Sequence, residues 1–197
     1  MRDNALAKAL AADGHEVSML PMYLPLMLDE ERLSGGDSAP VFFGGINVYL
    51  QHKFAIFRHT PAWVDRLLDR PGLLRRVARH SHMTSARDHG ELTLAMLRVE
   101  EGRLVKELEK LAAWLEADPP DVLCLSTALQ AGMFRELKKR LRARVICCFQ
   151  GEDEFLDALP EPYCGQSWRE LGERLRDADV LVAPSRYYAR LMRERLG

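Results

Sequence analysis

The chain has 197 residues, of which 47% are hydrophobic and 29% are charged, and its formal net charge is −1. This composition is typical of a folded domain with a substantial core, and a charge so close to zero does not favour binding to nucleic acid. No apolar run approaches the ~20 residues of a membrane span, and the N-terminus has no apolar signal region. We therefore expect a cytoplasmic protein; peripheral attachment to the inner membrane surface stays open.

The cysteines and histidines do not predict a metal site. The four cysteines, Cys124, Cys147, Cys148 and Cys164, show no metal-binding spacing. The first three lie within predicted buried strands, where cysteine serves as a small apolar residue and its thiol stays reduced. His80, His82 and His89 match no helical pair of metal ligands.

The first twenty residues predict a helix followed by a strand. Residues 2–12 carry an apolar stripe at helical spacing, formed by Ala5, Leu6, Ala9 and Leu10. Gly14 stands where a left-handed C-cap belongs, and residues 15–20 have the alternation of a strand. Residues 21–40 predict a loop region, residues 41–43 a short strand, and Gly44-Gly45 a tight turn.

Helices and strands alternate from residue 100 onward, with short connections. Strands are predicted over residues 121–126, 145–149 and 180–183, and helices over 100–117, 133–141, 162–177 and 185–196; a further helix precedes them from about residue 90 to 98. This alternation is typical of a parallel sheet with helices on both faces. The predicted fold class is therefore α/β and Rossmann-like.

The stretch after the strand at 145–149 is the main candidate for a binding site. The sequence changes abruptly there from apolar residues to Gln150-Gly151-Glu152-Asp153. In open α/β sheets, ligands bind beyond the carboxyl ends of the strands, and a glycine lets the backbone approach them. The alternative is that Glu152 or Asp153 simply caps a helix. Both interpretations stay open from position alone.

Three segments together resemble the N-terminal domain of GT-B fold glycosyltransferases, especially the large retaining family numbered 4. They are Leu6-Ala-Lys-Ala-Leu-Ala-Ala-Asp-Gly-His-Glu-Val17, Pro120-Asp-Val-Leu-Cys-Leu-Ser126, and Ile146-Cys-Cys-Phe-Gln-Gly-Glu-Asp153 followed by Asp177-Ala-Asp-Val-Leu-Val-Ala-Pro-Ser-Arg-Tyr187. Their order and spacing are similar to the first helix, the strand after the long helix, and the paired strands of that family. The resemblance covers most of the chain outside residues 21–99.

The resemblance implies an enzyme that moves a sugar from a nucleotide-sugar to an acceptor with retention, with this chain on the acceptor side. It implies no cofactor besides the nucleotide-sugar, which is a substrate. Gln150 and Asp153 then take the catalytic positions, although Gln150 stands where the family has a histidine and cannot titrate. The implied acceptor-binding residues are Gly44, Gly45, Asn47, Tyr49, Gly151, Glu152, Ser185 and Tyr187.

The resemblance also sets expectations about domain organisation. A first strand would precede Arg2 and a donor-binding domain would follow Gly197, so we expect residues 1–197 to form a single N-terminal GT-B-like domain. Such a fragment, or subunit of a split enzyme, would act with a C-terminal domain on a partner chain or would self-associate. The alternative function is a non-catalytic carbohydrate-binding module. A dinucleotide-binding oxidoreductase is disfavoured because no Gly-x-Gly-x-x-Gly run is present.

Overall fold

The computed structural model describes residues 2–20, 22, 42–43 and 86–197. The chain divides into two compact units, residues 1–80 and 81–197. Within the described ranges, no helix combines the length and the apolar character needed to cross a membrane. The single domain expected over residues 1–197 stays a prediction.

The first unit contains helix α1, Arg2–Ala12. Gly14 ends it as predicted, with φ of +92°. The amide of Gly14 donates to the carbonyl of Ala11 and that of His15 donates to the carbonyl of Leu10, at 3.2 and 3.1 Å. This pair of bonds is a Schellman motif, which needs a left-handed residue that glycine adopts without strain.

Two expectations about this unit are wrong. The predicted apolar stripe of α1 is exposed, with Leu6 at 44% and Leu10 at 38%, whereas Asn4 and Ala7 are buried. Residues 15–20 form no strand, because they make no ladder within the described residues. The neighbouring Met22 instead makes an isolated parallel bridge with Phe42, inside the strand expected at 41–43.

The second unit follows the predicted alternation closely. Its elements are α2 Ala86–Leu97, α3 Val105–Ala117, β1 Val122–Leu125, a 3-10 helix Ala128–Met133, α4 Phe134–Leu141, β2 Arg144–Cys148, α5 Glu152–Asp157, α6 Tyr163–Leu175, β3 Val180–Val182 and α7 Arg186–Leu196. All three predicted strands are confirmed to within one or two residues at each end.

The three strands form one parallel sheet in the order β1-β2-β3, which confirms the Rossmann-like α/β class. Cys124 pairs with Ile146 and Leu125 with Cys147, while Cys148 pairs with Val182. Strand β2 is therefore central, and parallel strands bring their carboxyl ends to one edge. The loops after β1, β2 and β3 meet at that edge.

Burial differs sharply between the strands. Val145 and Cys147 of β2 are fully buried, whereas Val122 of β1 and Val180 and Val182 of β3 are each more than 40% exposed. Cys124 is exposed too, so the expectation that it lies in a buried strand is wrong. It lies on an outer strand of this sheet, on the same face as Val122 two residues earlier.

Helices α2 and α6 pack tightly against each other because of a glycine. A Cβ built on Gly90 would lie 2.5 Å from Cγ of Tyr163 and 2.6 Å from its Cβ. Ring and Cβ atoms near the backbone cannot swing away as a flexible side-chain end can. The close approach brings Tyr163 Oη within 3.1 Å of Glu91 Oε1, to which it donates.

The sequence predicted that a helix begins at Glu100, but residues 98–104 form turns and α3 starts at Val105. Its carboxylate instead serves the start of α4, where Oε1 accepts from the amide of Glu136 at 2.9 Å. The other oxygen accepts from Nη1 of Arg174 at 2.9 Å, and Arg174 is only 6% exposed. A buried guanidinium is tolerated when it is paired in this way.

Asp179 joins the amino ends of β2 and β3. Its Oδ2 accepts from the amide of Val145 at 2.7 Å, and its Oδ1 contacts Lys138 Nζ and Arg144 Nη1 at 3.1 and 3.3 Å. The hydrogen bond from Val145, followed by that from Lys138, lowers the pKa of Asp179. The second acid of the Asp177-Ala-Asp179 motif is thus a structural residue at the edge opposite the candidate site.

We predict that Gly90→Ala destabilises the protein, because the added methyl meets Tyr163. Overpacking of this kind costs about 1–3 kcal/mol and outweighs the gain in helix propensity of about 1 kcal/mol. Gly172→Ala is the matched control within α6, since its Cβ would meet only Leu196, at 3.7 Å or more. Urea unfolding should show opposite signs for the two variants. Stabilisation by both would contradict the packing of α2 on α6.

Candidate functional site

The loop after β2 turns the chain sharply at Gly151. The amide of Phe149 still donates to the carbonyl of Val182 at 2.9 Å, which continues the pairing with β3. Gly151 then has φ of +93° and is the residue before α5. A residue with a side chain would be strained there, so the glycine lets the chain enter α5 directly. Gln150 is left exposed and Asp153 half-buried.

The carboxylate of Glu152 ties this loop to the loop after β1. Glu152 is 2% exposed. Its Oε1 accepts from Thr127 Oγ1 and from the amide of Ala128, both at 2.9 Å. Its Oε2 accepts from the amide of Gln150 at 2.7 Å and from Tyr188 Oη at 3.4 Å. A buried carboxylate is tolerated when its oxygens are satisfied by donors in this manner.

These contacts bear on the interpretation that an acidic side chain caps a helix. Neither Glu152 nor Asp153 caps α5, since Gly151 is the N-cap residue and no side chain bonds the cap. Glu152 was also expected to bind the acceptor directly. Its carboxylate lies inside the protein instead, with both oxygens engaged, so it fixes the backbone around Gln150 and Thr127.

Tyr188 of α7 fixes the neighbouring Asp153. Its Oη donates to Asp153 Oδ1 at 2.7 Å, and its ring lies 6.1 Å from that of Phe149. Burial of the phenol, and then its hydrogen bond to Asp153, raise the pKa of Tyr188. The phenol therefore keeps its proton and remains a donor to the carboxylate. Asp153 is held in one orientation beside the exposed Gln150.

The start of α7 lies at the same edge. Ser185 is the N-cap, as the sequence predicted, and its Oγ accepts from the amide of Tyr188 at 3.1 Å. Ser185 is exposed, and its neighbour Tyr187 is 68% exposed. Since the cap bond positions Tyr188, Ser185 orients the residue that holds Asp153.

The structure thus places six of the predicted site residues at the carboxyl edge of the sheet: Gln150, Gly151, Glu152, Asp153, Ser185 and Tyr187. Their assignment to catalysis and acceptor binding stays a prediction. The other four, Gly44, Gly45, Asn47 and Tyr49, lie outside the described residues.

Sequence analysis missed Thr127 and Tyr188, which complete the hydrogen-bond network. Thr127 is the N-cap of the 3-10 helix and donates to Glu152. The position of Tyr188 could have been predicted, because the side chain of a serine N-cap accepts a hydrogen bond from the amide of the third residue after it. The exposed Tyr187 was chosen instead of its buried neighbour.

Other features of the described residues do not add to this site. They contain no cluster of three or more His, Cys, Asp or Glu side chains able to hold a metal ion. A hollow of about 260 Å³ is lined by Arg87, Tyr163 and residues 160–162. None of these is a predicted site residue.

Comparison with known proteins connects the chain to a family and to a curated protein. The family described as "Glycosyl transferase 4-like domain" matches residues 4–197. The chain is also similar to protein translocase subunit SecA 1 of Mycolicibacterium smegmatis, with 32% identity over 105 residues. That match covers 52% of this chain and 10% of the length of that protein. No solved structure gave a significant match.

We predict that Glu152→Gln destabilises the protein by about 1–3 kcal/mol, the usual cost of leaving buried polar groups unsatisfied. Both oxygens of Glu152 accept hydrogen bonds, so the side-chain NH2 group of a glutamine at this position would face a donor with which it cannot bond. Glu154→Gln, an exposed neighbour in α5, is the matched control and should change the free energy of unfolding little. Equal effects of the two substitutions in urea unfolding would contradict the buried position of Glu152.

We also predict that Tyr188 makes the stability of the protein fall above pH 10. Its pKa in the folded protein is raised from 10.0, so the unfolded chain loses the phenolic proton first. Above that pH the unfolded state binds fewer protons, and stability declines as pH rises; below it the contribution is complete. Tyr188→Phe removes this dependence.

The measurement is the free energy of unfolding at several pH values between about 8.5 and 11, a range that spans the usual tyrosine pKa. Wild type should lose more stability across this range than Tyr188→Phe. Tyr187→Phe, at an exposed position, should follow wild type. Parallel curves for wild type and Tyr188→Phe would refute the role of the buried phenol.

Proposed function

Because this chain belongs to the glycosyl transferase 4-like domain family, we propose that it supplies the acceptor side of a sugar transfer from a nucleotide-sugar. In this proposal the anomeric configuration of the sugar is retained. The acceptor lies across the carboxyl edge of the sheet, against Gln150 and Asp153. The donor nucleotide is bound by another domain, on this or a partner chain.

The observation that carries the proposal is the different burial of the side chains within residues 150–153. Glu152 is buried and bonded to the loop after β1, while Gln150 on one side of it is exposed and Asp153 on the other is half-buried. A rigid backbone that presents polar side chains at a sheet edge is what recognition of a sugar requires.

Gln150 suits binding better than proton transfer. Its side-chain amide has two donors and one acceptor oxygen, which match the alternating donors and acceptors of sugar hydroxyls. The amide cannot titrate, so it cannot act as a general acid or base. In this proposal Gln150 orients the sugar or the acceptor and takes no proton.

Asp153 is the group in this loop that can interact with an acceptor hydroxyl as a charged acceptor. Its Oδ1 is bonded to Tyr188, and Oδ2 makes no hydrogen bond within the described part of the chain. A carboxylate fixed through one oxygen can accept a proton or a hydrogen bond through the other. Asp153 therefore contacts the nucleophilic hydroxyl in the proposed complex.

The second candidate is a carbohydrate-binding module without turnover. The side-chain amide of Gln150 favours this candidate. By the resemblance stated above, Gln150 stands where the family has a histidine, and an amide cannot titrate as a histidine can. Binding and catalysis make different demands on the same loop. Both candidates require Gln150 and Asp153 to contact a sugar, and only the first requires transfer.

We predict that Gln150→Ala and Asp153→Asn each weaken carbohydrate binding about 3- to 10-fold, the effect of losing one hydrogen bond. Binding is measured by NMR titration of the protein with a panel of oligosaccharides and nucleotide-sugars. Glu154→Ala is the matched control, because Glu154 is the exposed neighbour of Asp153 in α5. It should bind as wild type does.

Incubation with nucleotide-sugars, the bound oligosaccharides and a donor-binding domain supplied in trans separates the two candidates. A new glycosidic bond with retained anomeric configuration, seen by NMR, supports the transferase. Binding at Gln150 and Asp153 without any product supports the module. Failure of every sugar to bind, or equal binding by the Asp153→Asn and Glu154→Ala variants, would overturn the proposed site.

A further inference from the structure

Two cysteines on neighbouring strands lie in direct contact. The sulfur atoms of Cys124 in β1 and Cys148 in β2 are 3.9 Å apart, in a thiol–thiol contact in which either sulfur can donate. The parallel register pairs Cys124 with Ile146, two residues before Cys148. Both side chains therefore belong to the same face of the sheet, because side chains alternate along each strand.

The other two cysteines lie elsewhere. Cys147 is fully buried, and its position in the strand directs it to the opposite face from Cys148. Burial raises the pKa of the Cys147 thiol, which keeps this group protonated. Cys164 belongs to helix α6. Since the chain has four cysteines, Cys124 and Cys148 form a defined pair with two internal controls.

The distance between the sulfurs suits a bridging atom better than a direct bond. A disulfide needs its sulfurs about 2.05 Å apart, far closer than they lie in this contact. Two sulfurs bound to one pyramidal or tetrahedral centre with bonds of about 2.3 Å lie about 3.2–3.8 Å apart. The observed spacing of 3.9 Å is slightly above that range, so a small rotation of the side chains brings both sulfurs into reach of one bridging atom.

We propose that Cys124 and Cys148 form a two-thiol binding site for a soft, thiophilic centre that brings its own third ligand, such as a monosubstituted trivalent arsenical. Two protein sulfurs and one carbon substituent complete the three bonds of arsenic, so no further side chain is needed. Cys124 is exposed and admits the ligand, and Cys148 lies beside it at 7% exposure.

The binding step balances without an oxidant. The arsenical oxide keeps its carbon–arsenic bond, and two arsenic–sulfur bonds replace its bonds to oxygen. The oxygen leaves as water and carries both thiol protons. Arsenic stays trivalent and both sulfurs stay at the oxidation level of a thiol. The proposal does not rest on the proposed sugar-binding function, since neither thiol belongs to the Gln150–Asp153 loop.

The test uses the full chain, reduced with a phosphine, and phenylarsine oxide as the probe. Intact-mass measurement should show one arsenical per chain that an excess of monothiol does not remove and a small dithiol does. Cys124→Ser and Cys148→Ser should each reduce the affinity at least about 10-fold, since one of two sulfur ligands is lost. Cys147→Ser and Cys164→Ser should bind as wild type does.

Two results would overturn the proposal. One is an arsenical adduct that persists in Cys124→Ser with unchanged affinity. The other is release of the adduct from wild type by a monothiol, which would show attachment through one sulfur only. Because Cys124 is exposed, its serine variant is expected to fold, and circular dichroism checks this independently of the mass measurement.

Discussion

The architecture of the carboxyl edge depends on one buried negative charge. Glu152 lies where the loops after β1 and β2 meet the side of α7, and it accepts hydrogen bonds from all three. An unpaired carboxylate in such a place would cost several kcal/mol, so the donors must stay in position for the fold to be stable. The requirement of one side chain thereby becomes a constraint on three segments of backbone.

That constraint explains how a loop can be both ordered and available. Gly151 supplies the left-handed turn that brings Glu152 inward directly after Gln150 is left outside. Asp153 then faces Tyr188, which is itself positioned by the cap bond of Ser185. Each polar group at the edge is oriented by a neighbour that does not itself need to touch a ligand. Preorganisation of this kind lowers the entropy lost on binding.

The sequence predicted the second unit well because its strands are short apolar runs bounded by Pro, Gly or charged residues. Val180–Val182 is a case in which length and composition sufficed. The pattern could not say how completely each strand is covered, and so it placed Cys124 in the core. Along α1 the pattern predicted the helix correctly, but its apolar stripe is not the buried side, since Leu6 and Leu10 are exposed and Ala7 is buried. A run of alanines and leucines predicts a helix more reliably than it predicts which of its sides is buried.

The sequence could predict where the candidate site lies but not which of its side chains are buried and which are exposed. A change from apolar to polar residues after a buried strand located Gln150 to Asp153. Whether Glu152 or Gln150 points inward depends on donors supplied from Thr127, Ala128 and Tyr188, and no local pattern carries that information. The sequence indicated the exposed Tyr187, whose role in acceptor binding stays a prediction, and it gave no sign of the contacts that Tyr188 makes.

Alternation along β2 also assigns the chemistry of two adjacent cysteines. Cys147 and Cys148 are neighbours in sequence, yet successive residues of a strand point to opposite faces, so they cannot act as a pair. The partner of Cys148 comes from β1 through the register of the sheet, 24 residues away. A reactive site can thus arise from tertiary pairing while the apparent motif, Cys-Cys, contributes only one of its members.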